Sequence, residues 1–246
     1  YTFGDETGVA IEVVLDINPY SPEAIDTMEE VKDTVKRAAL GTPFEKATIA
    51  YSGVSSINTD LKEVTAEDFQ RTVSIMLVCL AVILAILFRS FIMPLYMLGS
   101  LLLTYYTSVG VAELIFVDGL GYDGITWAVP FFGFAMLIAL GVDYSIFLLD
   151  RFREESINGL SVKEALKHSM AKMGTVVMTA AVILAGTFAA MMPSGVLSLI
   201  QIATIVITGL LLYGVIILPL LIPAITVSFG EGAWWPFRLK QKQVEN

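Results

Sequence analysis

The chain has 246 residues, 56% of them hydrophobic and 16% charged, with a mean hydropathy of +0.74 and a net charge of -9. A soluble globular domain carries about a quarter charged residues, so a wholly soluble fold is excluded. Residues 1–70 hold fourteen Asp and Glu against five Lys and Arg, which accounts for the entire net charge and places the acidity in one soluble region.

In chain order, Gly8 to Asp16 (GVAIEVVLD) alternates and is rich in Val and Ile, which predicts a strand. Ser21 followed by Pro22 predicts the cap and first position of a helix, and Ile25, Met28, Val35 and Ala38 continue it at helical spacing. Ala47 to Gly53 (ATIAYSG) predicts a second strand. Together these make a partial βαβ-type outer domain, too small to bury much core alone. From Val54 a polar helix feeds the first apolar stretch, unless Thr65 caps a new helix with Asp68 three residues on.

Five stretches then reach the 17 to 25 residues needed to cross a hydrocarbon core about 30 Å thick. They run from Thr72 to Phe88, Phe91 to Phe116, Ile125 to Leu149, Thr175 to Met191 and Val196 to Ile222. Nine basic residues fall in the first and third connectors and after the last span (Arg89, Arg151, Arg153, Lys163, Lys167, Lys172, Arg238, Lys240, Lys242), and none falls in the other two connectors. Basic loops mark the cytoplasmic side. The expected layout is therefore residues 1–70 outside, five spans over 71–229, and a cytoplasmic tail over 230–246 with Trp234 and Trp235 as an interfacial anchor. Ser161 with Glu164 predicts a capping box that opens an amphipathic helix along the inner surface. The single His168 falls on its polar side, and the lone Cys79 reads as an inert thiol. With no initiator Met and no signal-peptide pattern, the chain reads as part of a longer protein.

The ionisable groups within the spans are few: Glu113 near the outer end of the second, and Asp143 in the third. A carboxylate in a spanning helix costs at least about 2.5 to 3.5 kcal/mol unless it is paired, hydrated or neutralised. From the midpoint of its apolar stretch, Leu137, Asp143 is about 9 Å toward the inner side. Two readings stay open: a hydrated structural carboxylate, or a protonatable relay group. Gly141 permits close approach of another helix, while Tyr144 and Ser145 add hydroxyls. Adjacent residues point about 100° apart, so Asp143 and Tyr144 should meet different neighbours. Ala181, Ala185 and Ala189 form a small-residue ridge on the fourth span, with Thr179 nearby. Tyr213 is the most central polar group of the fifth span, and Gln201 lies near its outer end. No metal-ligand cluster, nucleophile elbow or phosphate-binding glycine loop points to an enzyme.

The segment GVDYSIFLLDRFREE, the hairpin FRSFIMPLYMLGSLLLTYYTSVGVAELIF and the lead-in YSGVSSINTDLKEVTAEDFQ together resemble the C-terminal half of an MMPL-type transporter of the resistance-nodulation-division superfamily. The resemblance implies an α-helical polytopic membrane protein that exports lipids or other hydrophobic compounds across a bacterial plasma membrane. It further implies protons as the coupling ion, no other cofactor, and Asp143 with Tyr144 as the proton-relay pair. Tyr213, Thr179 and Ser145 are candidate hydrogen-bond partners for that pair. Expected partners are the lipid bilayer, the hydrophobic substrate and the N-terminal half of the same transporter, with a homo-oligomer open and nucleic acid excluded. Where such proteins commonly carry an Asp on the last span, in a segment like LLDTFVVR, this chain reads LLYGVIIL, with Tyr213 and Leu218 at the acidic and basic positions. Asp143 is then the only relay acid of this half. The alternatives are a non-transporting scaffold or lipid- and sterol-sensing module, and an accessory of protein translocation resembling SecDF.

Overall fold

The computed structural model describes residues 9–236, apart from the side chains of residues 65–67 and 231. It divides into two units, residues 1–64 and 65–246. The expected tail beyond Pro236, with its three basic residues, falls outside the described residues, as does the first position of the predicted N-terminal strand.

The first unit contains helix α1 (Pro22–Ala39) and the opening of α2 (Val54–Phe88). Ser21 caps α1 as expected, its hydroxyl accepting from the Ala24 backbone N–H at 3.2 Å, with Pro22 at the first position. Lys32 pairs with Asp60 at 2.6 Å, Asn58 donates to the Pro19 carbonyl, and Lys62 stands 3.5 Å from Asp26, so the start of α2 is tied to α1. The predicted strands do not form: among the described residues there is no β-strand, and the βαβ expectation is corrected. The alternating pattern is present, yet Ile11 and Val14 are 84% and 85% exposed and 47–53 is irregular. Strand patterning needs a neighbouring ladder and a covered face to become a strand. Among the described residues of this unit no strand ladder is formed.

The second unit holds five long apolar helical rods. The backbone of α2 is helical through Thr65, so no new helix begins there, and its span half presents Ile75, Val78, Val82, Ile83 and Ile86 outward. Next come α3 (Ile92–Glu113), which passes into a π-helical turn (Leu114–Gly119), then α4 (Val129–Ile157) and α5 (Val162–Ala189). The last rod is built from α6 (Leu197–Leu211), a π-helical segment (Leu212–Leu221) and α7 (Ile222–Phe229). The Ser161–Glu164 capping box is present, but it opens α5 itself: the expected surface helix is the first part of one unbroken 28-residue helix. Nothing in the backbone between Gly174 and Thr175 stops the helix, and Gly is tolerated there at a modest cost.

Packing centres on α6, which touches α3, α4 and α5 and buries every residue from Gln201 to Val206. Gln201, fully buried, accepts from the Thr126 N–H at 3.0 Å and donates to the Gly124 carbonyl at 3.2 Å, which fixes the α3–α4 loop to the start of α6.

At the opposite, basic end, α2 and α3 are joined by Arg89, Ser90 and Phe91 alone. Arg89 takes φ +50°, a left-handed conformation that costs a non-glycine residue about 1–2 kcal/mol. Ser90 offsets that cost. Its hydroxyl accepts from the N–H groups of Ile92 and Met93 and donates to the Ala233 carbonyl at 2.6 Å. The chain thus returns after α7 as a short strap, Gly230–Trp234, with Trp234 stacked on Phe152 at 5.4 Å and the Phe91 N–H donating to the Trp235 carbonyl. Of the two tryptophans, only Trp235 is on the surface, at 62% exposed, while Trp234 is interior. Ser90→Ala removes a helix cap and strands a buried carbonyl. We expect it to destabilise the protein by about 1–3 kcal/mol, read as a lowered thermal unfolding midpoint in detergent.

Candidate functional site in the membrane helices

Asp143 is the central residue of α4, with fourteen residues of the helix on either side. Its side chain is exposed on a stripe formed by Phe132, Met136, Ala139, Asp143, Phe147, Asp150 and Glu154. Their spacing of three and four residues places all seven on one outward face.

Tyr144 turns inward. It is 6% exposed, and its hydroxyl is buried without a hydrogen-bond partner. Eleven residues farther along α4, and so within about 20° of the same direction, Glu155 accepts from Lys172 of α5 at 3.0 Å and from Arg151 at 2.8 Å. Tyr144 therefore shares the side of α4 that carries Glu155. The Asp143 and Tyr144 side chains diverge as helix geometry requires, but the expected partners on two helices are not seen: Asp143 is exposed and the Tyr144 hydroxyl has no hydrogen-bond partner among the described residues.

Glu155 and its two cations close the basic end of the α4–α5 pair, and Arg153 donates to the Leu87 carbonyl at the end of α2 at 2.8 Å. Glu155→Gln keeps the shape but removes the charge that two cations share. We expect faster hydrogen exchange at the α4–α5 connection than in the wild type, read by mass spectrometry on the full-length protein.

Gly141, expected as a close-packing site, is one: a Cβ there would stand 2.2 Å from Leu101 Cδ2 on α3 and 3.7 Å from the Tyr213 ring. The alanine ridge is divided. Ala181 and Ala185 are buried, Ala189 is exposed, and Ala181 abuts the last span, 2.6 Å from where a Cβ on Gly214 would sit. The ridge therefore serves α5 against the last span at this point.

Thr179 is exposed and is not brought to Asp143. Ser145 and Tyr213, expected as partners of the relay pair, are instead bonded to each other and almost fully buried, with Ser100 a further hydroxyl neighbour.

Sequence reasoning passed over Ser100, Thr104 and Ser108. These buried residues form an i, i+4 ladder along α3, in which Thr104 donates to the Ser100 carbonyl and Ser108 to the Thr104 carbonyl, each at 2.8 Å. The spacing was visible in SLLLTYYTS. It also passed over Gly209, where a Cβ would stand 2.4 to 2.8 Å from three side-chain atoms of Leu137.

Five apolar rods knit by glycine contacts and buried hydroxyls, with a carboxylate at the centre of one of them, define a multi-pass α-helical membrane protein. The MMPL family model matches residues 4–245, and the chain belongs to that family. It is 60% identical over 241 residues, 98% of its length, to YdgH of Bacillus subtilis, named as a membrane protein. It is 32% identical over 95% of its length to the apo-petrobactin exporter of Bacillus anthracis, and 28% identical over 89% to the sulfolipid-1 exporter MmpL8 of Mycobacterium tuberculosis. It spans 27%, 32% and 20% of those relatives, respectively.

Proposed function

We propose that this chain is the C-terminal half of a proton-driven exporter of lipids or other hydrophobic compounds in a bacterial plasma membrane, with the basic end of the bundle in the cytoplasm. The observation that carries the reading is Asp143: one carboxylate at the middle of α4, on the outward face rather than in the packed interior. A charge there, surrounded by lipid, is costly. The cost is removed if another part of the transporter covers the stripe, which makes Asp143 a group between two halves. Protonation from the outer side neutralises it, the contact rearranges, and release inward completes the cycle while the outer domains expel substrate. Tyr144, turned inward beside it, couples the carboxylate to the packed side of α4. The names of the petrobactin and sulfolipid exporters support the transport class, and their cargoes belong to those proteins.

The test needs no substrate. Full-length protein in membranes is treated with dicyclohexylcarbodiimide, which attacks protonated carboxylic acids in apolar surroundings, and modification of Asp143 is followed by mass spectrometry from acid to alkaline pH. Labelling that falls with a midpoint near neutrality is expected. Absence of labelling at every pH sinks the relay and favours a structural carboxylate.

A further inference from the structure

Tyr213 is fully buried on the last span, and its hydroxyl meets two serines, Ser145 of α4 and Ser100 of α3. Ser145 donates to the Gly141 carbonyl at 3.1 Å, and Ser100 donates to the Met97 carbonyl at 2.8 Å. Tyr213 is hydrogen-bonded to Ser145 and also to Ser100, so one hydroxyl of the last span is held by α3 and α4 together. A connected run results, joining Tyr213 on the last span, Ser145 and the backbone of α4. All three side chains are at most 4% exposed, and in a hydrocarbon surrounding no water replaces a lost partner.

Two features give this run a task. Ser145 is two residues from Asp143, about 200° around α4, so it pins the back of the helix whose front carries the carboxylate. The glycine contacts on that back face are apolar: Gly133 against Ile205, Leu137 against Gly209 and Gly141 against Leu101. A second hydrogen bond, from the Tyr105 hydroxyl to the Pro130 carbonyl, ties α3 to the start of α4. The apolar contacts can slide, whereas a hydrogen bond has a direction. Independently, Tyr213 is the second residue of the π-helical segment Leu212–Leu221, which contains Pro219. There the ordinary i to i-4 ladder is replaced, and Pro219 removes a donor from it. The bond from α4 therefore reaches the last span where its backbone ladder is least regular.

We propose that Tyr213 is a positioning residue for the proton step: its hydroxyl sets the rotation of α4 and passes a change at Asp143 to the π-helical part of the last span. The inference rests on the reading of Asp143 as the proton carrier.

Tyr213→Phe, Ser145→Ala, the double variant and Ser145→Thr are made in the full-length protein, and the pH midpoint of Asp143 labelling by dicyclohexylcarbodiimide is measured in membranes beside protein abundance. We expect Tyr213→Phe and Ser145→Ala each to move the midpoint by roughly half a pH unit or more. The double variant moves it no farther than either one, and Ser145→Thr restores it. An unmoved midpoint at normal abundance overturns the proposal, as does a double variant whose shift is the sum of the singles. Loss of abundance in both single variants also overturns it, because the hydroxyls are then needed for folding. Absence of Asp143 labelling in the wild type instead overturns the parent reading. The two failures are distinguishable.

Discussion

Asp143→Asn in the full-length protein is expected to abolish proton-driven export while leaving its abundance in the membrane unchanged. Asparagine has nearly the same shape but cannot gain and lose a proton. Each charge that crosses 100 mV contributes about 2.3 kcal/mol, equivalent to about fiftyfold in an equilibrium. Loss of that driving force should reduce accumulation against a gradient by about that factor or more. Abundance should hold because Asp143 sits on the outward stripe of α4 and makes no side-chain hydrogen bond or ion pair among the described residues. The check is uptake of a fluorescent hydrophobic dye into inverted vesicles at fixed protein content. If export and abundance fall together, Asp143 is a folding residue. If neither falls, the scaffold alternative is favoured.

A second large effect is expected at Gly209, this time on folding. An added Cβ would meet Leu137 at Cδ2, Cδ1 and Cγ, at 2.4, 2.5 and 2.8 Å. Contact at Cγ as well as at the tips means that rotating the methyl groups does not clear the clash, and Leu137 is itself 1% exposed with little room to move. Gly209→Ala should therefore destabilise α4 against α6 by about 1–3 kcal/mol, the usual range for overpacking. Leu137→Ala in the same chain should recover much of the loss by vacating the space. The pair forms a double-mutant cycle whose non-additivity is the signature of direct contact. Additive losses, read from thermal unfolding in detergent, would mean that the two helices do not meet here.

The five spans were legible because length and apolarity suffice to mark them, and the Ser21 and Ser161 caps were legible because capping is local. Which way each helix turns is not local. Asp143 and Tyr144 are adjacent in sequence, yet one is exposed and the other buried, a difference set by where α5 and α6 lie. For the same reason Ser145 and Tyr213, 68 residues apart, could each be named as candidates but not joined. Gly141 announced a close approach without announcing its partner, Leu101, and Gly214 against Ala181 was not announced at all. The outer segment misled in the opposite way. Its alternation is a true strand pattern, but a pattern specifies a strand only in the presence of neighbours to pair with.

The strap beneath the basic end has a consequence for how the protein is made. Ser90 closes the first hairpin of the membrane unit, but the carbonyl it bonds belongs to Ala233, 143 residues later in the chain. At about 5–20 residues per second, a ribosome needs roughly 7–30 s to cover that distance. Through that interval the earliest turn of the bundle waits unfinished, and its completion signals that the last helix has been delivered.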